Sequence, residues 1–315
     1  MRLGFAVQVL GRPQLRSHDA RRAPQQPHLS VSLAYLRDIL VYMTEARLRM
    51  YRMHPDLAPY ITHPEMPQFH RQIDECLPEL EYVGQLARAA DVRLSFHTDP
   101  YTVLNSADAE TQARSRAKVI VLARLLDAMG LPNEAVIVTH VGGLFGDKTT
   151  SLERFIACYD SLPPTAQRRL VLENDDRHYS LADTFRIHEQ TGIPLVLDRL
   201  HFLLNNPDRL SLGAGLEMAL NTWPERVQPK VHFSSPRTEM KALAPLAGDD
   251  VDAGGVRPPL WSNHSDYINP FEFADFLRLR PARPGFDVML EARAKDLAVL
   301  RLQRDLETFA PELAI

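Results

Sequence analysis

The stretch AVIVTHVGG, Ala135–Gly143, sets small and β-branched apolar residues in a row and then ends on His140 and two glycines. A run without polar alternation fits a strand buried on both faces, as in a parallel sheet covered by helices. Its last side chain is nevertheless ionisable, and the chain turns at once. The ending recurs: VRLSFH closes on His97, RLVLE on Glu173, IPLVLD on Asp198 and FDVMLE on Glu291, while PKVHF carries His232. Strands that each deliver an imidazole or a carboxylate near their carboxyl end point to one place where those ends converge.

The runs are regularly spaced. Strand-like segments lie at Arg2–Leu10, Arg47–Met53, Val92–His97, Ala135–His140, Arg169–Glu173, Ile193–Asp198, Lys230–Phe233 and Phe286–Glu291. Helical segments alternate with them. In the first, Leu33, Leu36, Ile39, Leu40 and Met43 recur at helical intervals; later ones are expected near 74–90, 109–129, 150–162, 181–191, 210–221, 270–279 and 292–308. Eight β/α units in 315 residues predict an α/β chain folded as one TIM (β/α)8 barrel over residues 1–315. The rival, a doubly wound open sheet, lacks a GxGxxG after the first strand. An irregular segment rich in Gly, Pro and Asp, about 238–261, follows the seventh strand and in a barrel would overhang the mouth.

Composition narrows the function classes. A hydrophobic content of 45% supports a large core, and a net charge of −4 argues against non-specific coating of nucleic acid. Cys76 and Cys158 lie far apart in helix-like patterns, which predicts a reduced, intracellular protein without a thiolate zinc site. No apolar run reaches the length of a membrane span and the N-terminus has no signal-peptide core, so a soluble, cytoplasmic protein is expected. GGLFGDK, Gly142–Lys148, lacks P-loop spacing and reads as a tight turn, so no nucleotide cofactor is expected.

In a barrel, His97, His140, Glu173, Asp198, His232 and Glu291 would meet at the mouth. Imidazoles and carboxylates without cysteine suit Mn²⁺, Zn²⁺ or Fe²⁺, and six such groups exceed what one ion needs, which favours two or three. His201 in DRLH, His63 in THPE and His264 in NHSDY are further candidates just beyond the strands. Lys230 shares a face with His232, and an ammonium among cations must either pair with a carboxylate or lose its charge, for example by carboxylation. Arginines between Arg12 and Arg22, with Arg47, Arg49 and Arg52, are read either as a phosphate-binding rim or as a solvated surface. The histidines at 18, 28, 54, 70, 178 and 188 are read as surface or loop residues. Such a centre suits phosphodiester hydrolysis, because one ion generates hydroxide near neutral pH while another stabilises the leaving oxygen. It also suits sugar isomerisation, aldol chemistry or oxygenation, and spacing alone does not choose among them.

RLSFH, HVGGLFGDK, RLVLENDD, IPLVLDRLH, PKVHFSS and FDVMLEARAKD together resemble, in order, the motifs of the UV damage endonuclease family, and the likeness runs from LGF near the start to the last helix. The resemblance implies a TIM barrel with a trinuclear, manganese-preferring site, for which Zn²⁺, Mg²⁺ or Co²⁺ could substitute. It implies a monomer acting on damaged double-stranded DNA, which nicks one strand immediately 5′ of cyclobutane dimers and 6-4 photoproducts, leaves a 3′-hydroxyl, and also acts at abasic sites. Carried over, the metal ligands fall on His63, His97, His140, Glu173, Asp198, His201, His232, His264 and Glu291, and the carboxylated lysine on Lys230; Lys230 and Glu173 carry the catalytic roles. The lesion-reading parts depart from the pattern. HTDPY stands for HPGQY, so Tyr101 is kept while Pro100 replaces a glutamine; Phe5 stands for a tyrosine, Gln8 for an asparagine, and YRMHPDL for FRISS. These departures motivate two rivals, an abasic-site endonuclease of altered lesion range and a sugar-isomerase-like enzyme on the same barrel.

Overall fold

Successive side chains of a strand point to opposite faces, and here that alternation sorts two cores. The computed structural model describes residues 1–242, 256–281 and 285–314. Eight parallel strands carry the fold: β1 (Leu3–Ala6), β2 (Met50–Arg52), β3 (Arg93–His97), β4 (Ile137–His140), β5 (Leu170–Glu173), β6 (Leu195–Val196), β7 (Lys230–Phe233) and, after a two-stranded ribbon β8 (Lys241–Ala242) and β9 (Val256–Arg257), β10 (Asp287–Leu290). They pair in the order β6-β5-β4-β3-β2-β1-β10-β7, and a parallel bridge between Asp198 and His232 joins the two outer strands. The sheet is thereby closed into the TIM barrel that the β/α alternation predicts.

Phe5, Tyr51, Leu94, Phe96, Leu172 and Phe233 face outward into the large core shared with the surrounding helices. The inward set forms smaller clusters, Val136, Val138, Val171 and Val196 with Trp223 on one side and Ala6, Met50 and Met289 on the other. Arg93 and Asp287, both buried, plug the amino-terminal end with an ion pair of 2.9 Å, and Arg93 also donates to the carbonyls of Glu134 and Pro229. Arg49 pairs with Asp91 at this same end, and Arg47 lines a cleft there. Those two arginines therefore do not belong to a rim around the mouth, whereas Arg52, at the carboxyl end of β2, pairs with Glu291 there.

The helices fall where apolar spacing places them, with two additions. Short helices at Pro164–Arg169 and Arg199–Leu204 have no counterpart in the sequence reading. The second matters for the site. β6 is short because Asp198 leaves the strand to cap the helix, its side chain accepting from the His201 N–H at 2.8 Å. Within the long loop after β7, residues 243–255 lie outside the described part. Among the described residues, no helix is long and apolar enough to cross a membrane.

Candidate metal centre

Register brings the ionisable strand ends level. His140 sits opposite Glu173 on neighbouring strands, and Asp198 bridges to His232. Glu173 is the hub: Oε2 lies 2.9 Å from His97 Nε2 and 3.7 Å from His140 Nε2, while Oε1 lies 2.9 Å from His232 Nδ1 and 3.6 Å from His201 Nδ1. Glu291 faces His232 at 3.3 Å and His264 at 3.8 Å, and it also pairs with Arg52. Among the described residues three overlapping groups result, His97–Glu173–His232, His140–Glu173–His201 and Asp198–His232–Glu291, each with its ligand atoms within 4.8 Å of one another.

The donors fit divalent cations. His97 donates its Nδ1–H to the Thr98 carbonyl at 2.8 Å, so the Nε2 lone pair faces a carboxylate oxygen and needs a proton or a cation between them. His232 Nε2, Asp198 Oδ2 and His140 Nδ1 are buried with no hydrogen-bond partner among the described residues. A buried polar atom left in that state costs ~1–3 kcal/mol, which ligation would offset. Charge follows the same logic. Burial opposes ionisation of Glu173, yet the imidazoles of His232 and His140 outweigh it and hold the carboxyl well below its usual range. Asp198 is raised by burial, with Glu173 and Glu291 as like-charged neighbours. Burial lowers His201, but Asp198, Glu173 and Glu291 together lift it to about 9. Lys230 is fully buried beneath the cluster, with Nζ 3.3 Å from Ser95 Oγ; burial, then Arg93 and Arg52, push its amine well below the usual lysine range.

Eight of the nine expected ligands thus surround one mouth, His264 through its approach to Glu291. His63 is not brought into any of the three groups. Its ring lies against Tyr60, its Nδ1 accepts from the Glu65 N–H at 3.3 Å, and it lines a neighbouring cleft with His18 and Asp56. His18 and His54, read as surface or loop residues, stack at 3.7 Å between ring centroids and tie the arginine-rich loop to the segment after β2. Of the expected lesion contacts, Tyr101, Pro100 and Gln8 are exposed. Phe5 is not: alternation turns it outward from the barrel, where it is fully buried against Tyr51 at 5.2 Å. The expectation of a Phe5 contact is corrected accordingly.

Sequence reasoning missed one buried residue outright. Asn174, beside Glu173, accepts from the Asp198 N–H at 2.9 Å, donates to the Asp198 carbonyl at 3.2 Å, and accepts from His201 Nδ1–H through its own carbonyl at 3.0 Å. The one signal was a polar side chain directly after the buried strand end in LVLEN. An open cleft of about 580 Å³ leads to the cluster, lined by Arg52, His97, Pro100, His140, Asp175 and Glu291 among others.

Known proteins resemble this chain over most of its length. The sequence pattern of the family described as UV-endonuclease UvdE matches residues 17–311. A UV DNA damage endonuclease of Bacillus velezensis is 33% identical over 288 residues, spanning 88% of this chain and 82% of that protein. Among solved structures, SacUVDE superposes with a TM-score of 0.80 at 27% identity over 98% of both chains. The 3-keto-D-glucoside 4-epimerase YcjR of E. coli superposes with a TM-score of 0.60 at 12% identity, covering 98% of this chain and 99% of that one, a likeness of fold alone.

Proposed function

The chain belongs to the UV-endonuclease family UvdE, an endonuclease family acting on damaged DNA, and on that premise we propose that it is a metal-dependent repair nuclease that nicks the strand immediately 5′ of UV photoproducts. The observation that carries this reading is the gathering of imidazoles and carboxylates around Glu173 at an open barrel mouth, with Tyr101 exposed on the loop that follows β3. His97, His140, Glu173, Asp198, His201, His232, His264 and Glu291 would hold the ions, Mn²⁺ first among them. Such ions would supply a nucleophile at neutral pH and neutralise charge at the phosphate.

The chain's own residues do the rest. Glu173 offers one oxygen to each half of the cluster and fixes the spacing between them. Arg52 holds Glu291 from the β2 side. Lys230, whose amine burial disfavours in its charged form, would add CO₂ at Nζ with loss of a proton, and the resulting carbamate would bring an anion beneath the ions. Tyr101, on a turn held by Asp99, would stack where a damaged dinucleotide leaves the helix, an extrusion that costs a few kcal/mol and least at distorted sites.

The test is a 5′-labelled duplex bearing one cyclobutane dimer, incubated with the protein and Mn²⁺ beside an intact duplex, an abasic duplex and an EDTA control. A single EDTA-sensitive nick just 5′ of the dimer is expected. Cleavage at the abasic site alone would keep the chemistry and shift the lesion range, the reading that exposed Pro100 in place of an amide side chain favours. Silence on both substrates would remove the nuclease assignment.

A further inference from the structure

Two aromatic side chains project into solvent from loops at the mouth, Tyr101 at 88% exposure and Trp261 at 58%. Tyr101 follows β3. Trp261 closes the long loop that follows β7 and precedes the candidate ligand His264 by three positions. Around the closed ring, β3 reaches β7 through β2, β1 and β10 in one direction and through β4, β5 and β6 in the other, four steps either way. The two loops that carry these rings therefore leave the barrel from opposite sides of the mouth.

Both stand on anchored turns. Asp99 accepts from the Tyr101 N–H at 2.9 Å and from the Thr102 N–H at 3.0 Å. On the far side Asn263 N–H donates to the Leu260 carbonyl at 2.9 Å, Arg237 N–H donates to the Asn263 carbonyl at 2.7 Å, and Pro236 bridges to His264. Met240, from the same loop, is 71% exposed. An exposed indole on the segment that leads into His264 suits the flat face of a nucleobase.

Resting on the reading of the chain as a damaged-DNA endonuclease, we propose that Trp261 is a second lesion-reading residue, stacking into the duplex from the side opposite Tyr101. Turning a dimer out of the helix leaves a gap bounded by two base faces. One aromatic ring meets each face, and the duplex is held astride the cluster. Discrimination between damaged and intact DNA then depends on both rings, because an intact stack admits neither without paying for unstacking.

The experiment uses the Mn²⁺-loaded full chain. Trp223 is buried in the barrel, its indole N–H donating to the Leu195 carbonyl at 2.7 Å, so acrylamide-accessible emission reports Trp261. Stopped-flow mixing with dimer-bearing duplex is expected to shield that emission before nicking completes, intact duplex to shield it less, and Trp261→Phe to abolish the signal. Trp261→Ala is expected to lower the damaged-over-intact ratio of kcat/KM by ~10-fold, with Trp261→Phe retaining most of it. Unshielded emission at saturating damaged duplex, or a Trp261→Ala ratio within about twofold of wild type, overturns the proposal while wild-type nicking leaves the functional reading standing. A wild type that nicks neither dimer nor abasic duplex overturns both. Should Trp261→Ala melt early, the quenching measurement on the intact wild type decides alone.

Discussion

His232 presents Nδ1 to Glu173 Oε1 at 2.9 Å across the barrel mouth, while its Nε2 is buried without a partner among the described residues. The contact links β5 to β7 over the short β6, so one carboxylate bonds imidazoles from both sides of the ring. Glu173 is fully committed, its other oxygen being taken by His97 at 2.9 Å.

Removing that hub should cost the reaction more than the fold's ability to meet DNA. Outer partners of metal ligands already cost ~10–100-fold in metal affinity when lost, and a shared ligand should cost more. Glu173→Ala is expected to lower nicking by at least ~100-fold while gel-shift affinity for dimer-bearing duplex stays close to wild type. Undiminished nicking by the variant would remove Glu173 from the reaction.

Ions should also stabilise the folded chain. Among the described residues Asp198 Oδ2 and His232 Nε2 lack partners that a cation would supply, and a ligand binding only the native state at a hundred times its Kd adds about 2.7 kcal/mol. Scanning calorimetry should show a Tm that climbs with Mn²⁺ and falls back on EDTA. A Tm indifferent to divalent cations would count against a metal centre formed by these residues, whatever the activity assay reports.

The barrel and most of this cluster were legible because both rest on local patterns. A doubly buried parallel strand is written as an unbroken apolar run, and an ionisable residue at its carboxyl end has only the mouth to face; His97, His140 and Glu173 follow from that alone. Phe5 enters as a lesion contact only through the family pattern, and strand alternation turns it outward into the core shared with the helices. The helix at Arg199–Leu204 escaped because its cap, Asp198, was read only as a strand end. The His18–His54 stack joins residues from different loops, and nothing in either local sequence announces the other. His63 lies in an irregular segment where spacing carries no direction, so its place just beyond a strand and the family pattern both name it without fixing where it points.

The arginine-rich loop before the first helix has its own electrostatic anchor. Asp19, buried, accepts from Arg21 Nη2 at 2.7 Å and from the His28 N–H at 3.0 Å; the Arg21 bond outweighs burial and holds the carboxyl at about 2. A folded value below the unfolded one adds stability above about pH 4, and that contribution drains away as pH falls towards 2. Asp19→Asn should therefore be less stable at pH 7 by roughly 1–3 kcal/mol, with the gap closing in acid. Urea titrations across that range test it, and a gap that stays constant with pH would show that the charge is not responsible.

Asn174 should tune metal affinity without touching an ion. Its side chain clasps the Asp198 backbone from both directions, and its carbonyl takes the Nδ1–H of His201 at 3.0 Å. The first pair of bonds fixes the residue that caps the Arg199–Leu204 helix. The third fixes the tautomer and aims His201 Nε2 away from the backbone. Asn174→Ala deletes only the clasp, so the carbonyl contact survives while Asp198 loses its restraint. The expected result is a ~10–100-fold rise in the Mn²⁺ concentration needed for half-maximal nicking, with kcat largely recovered at saturating Mn²⁺. A simple packing defect would instead lower Tm equally with and without Mn²⁺ and leave the Mn²⁺ midpoint in place. Calorimetric titration of Mn²⁺ into the variant separates the two, because a clasp that orients ligands must change the binding isotherm itself.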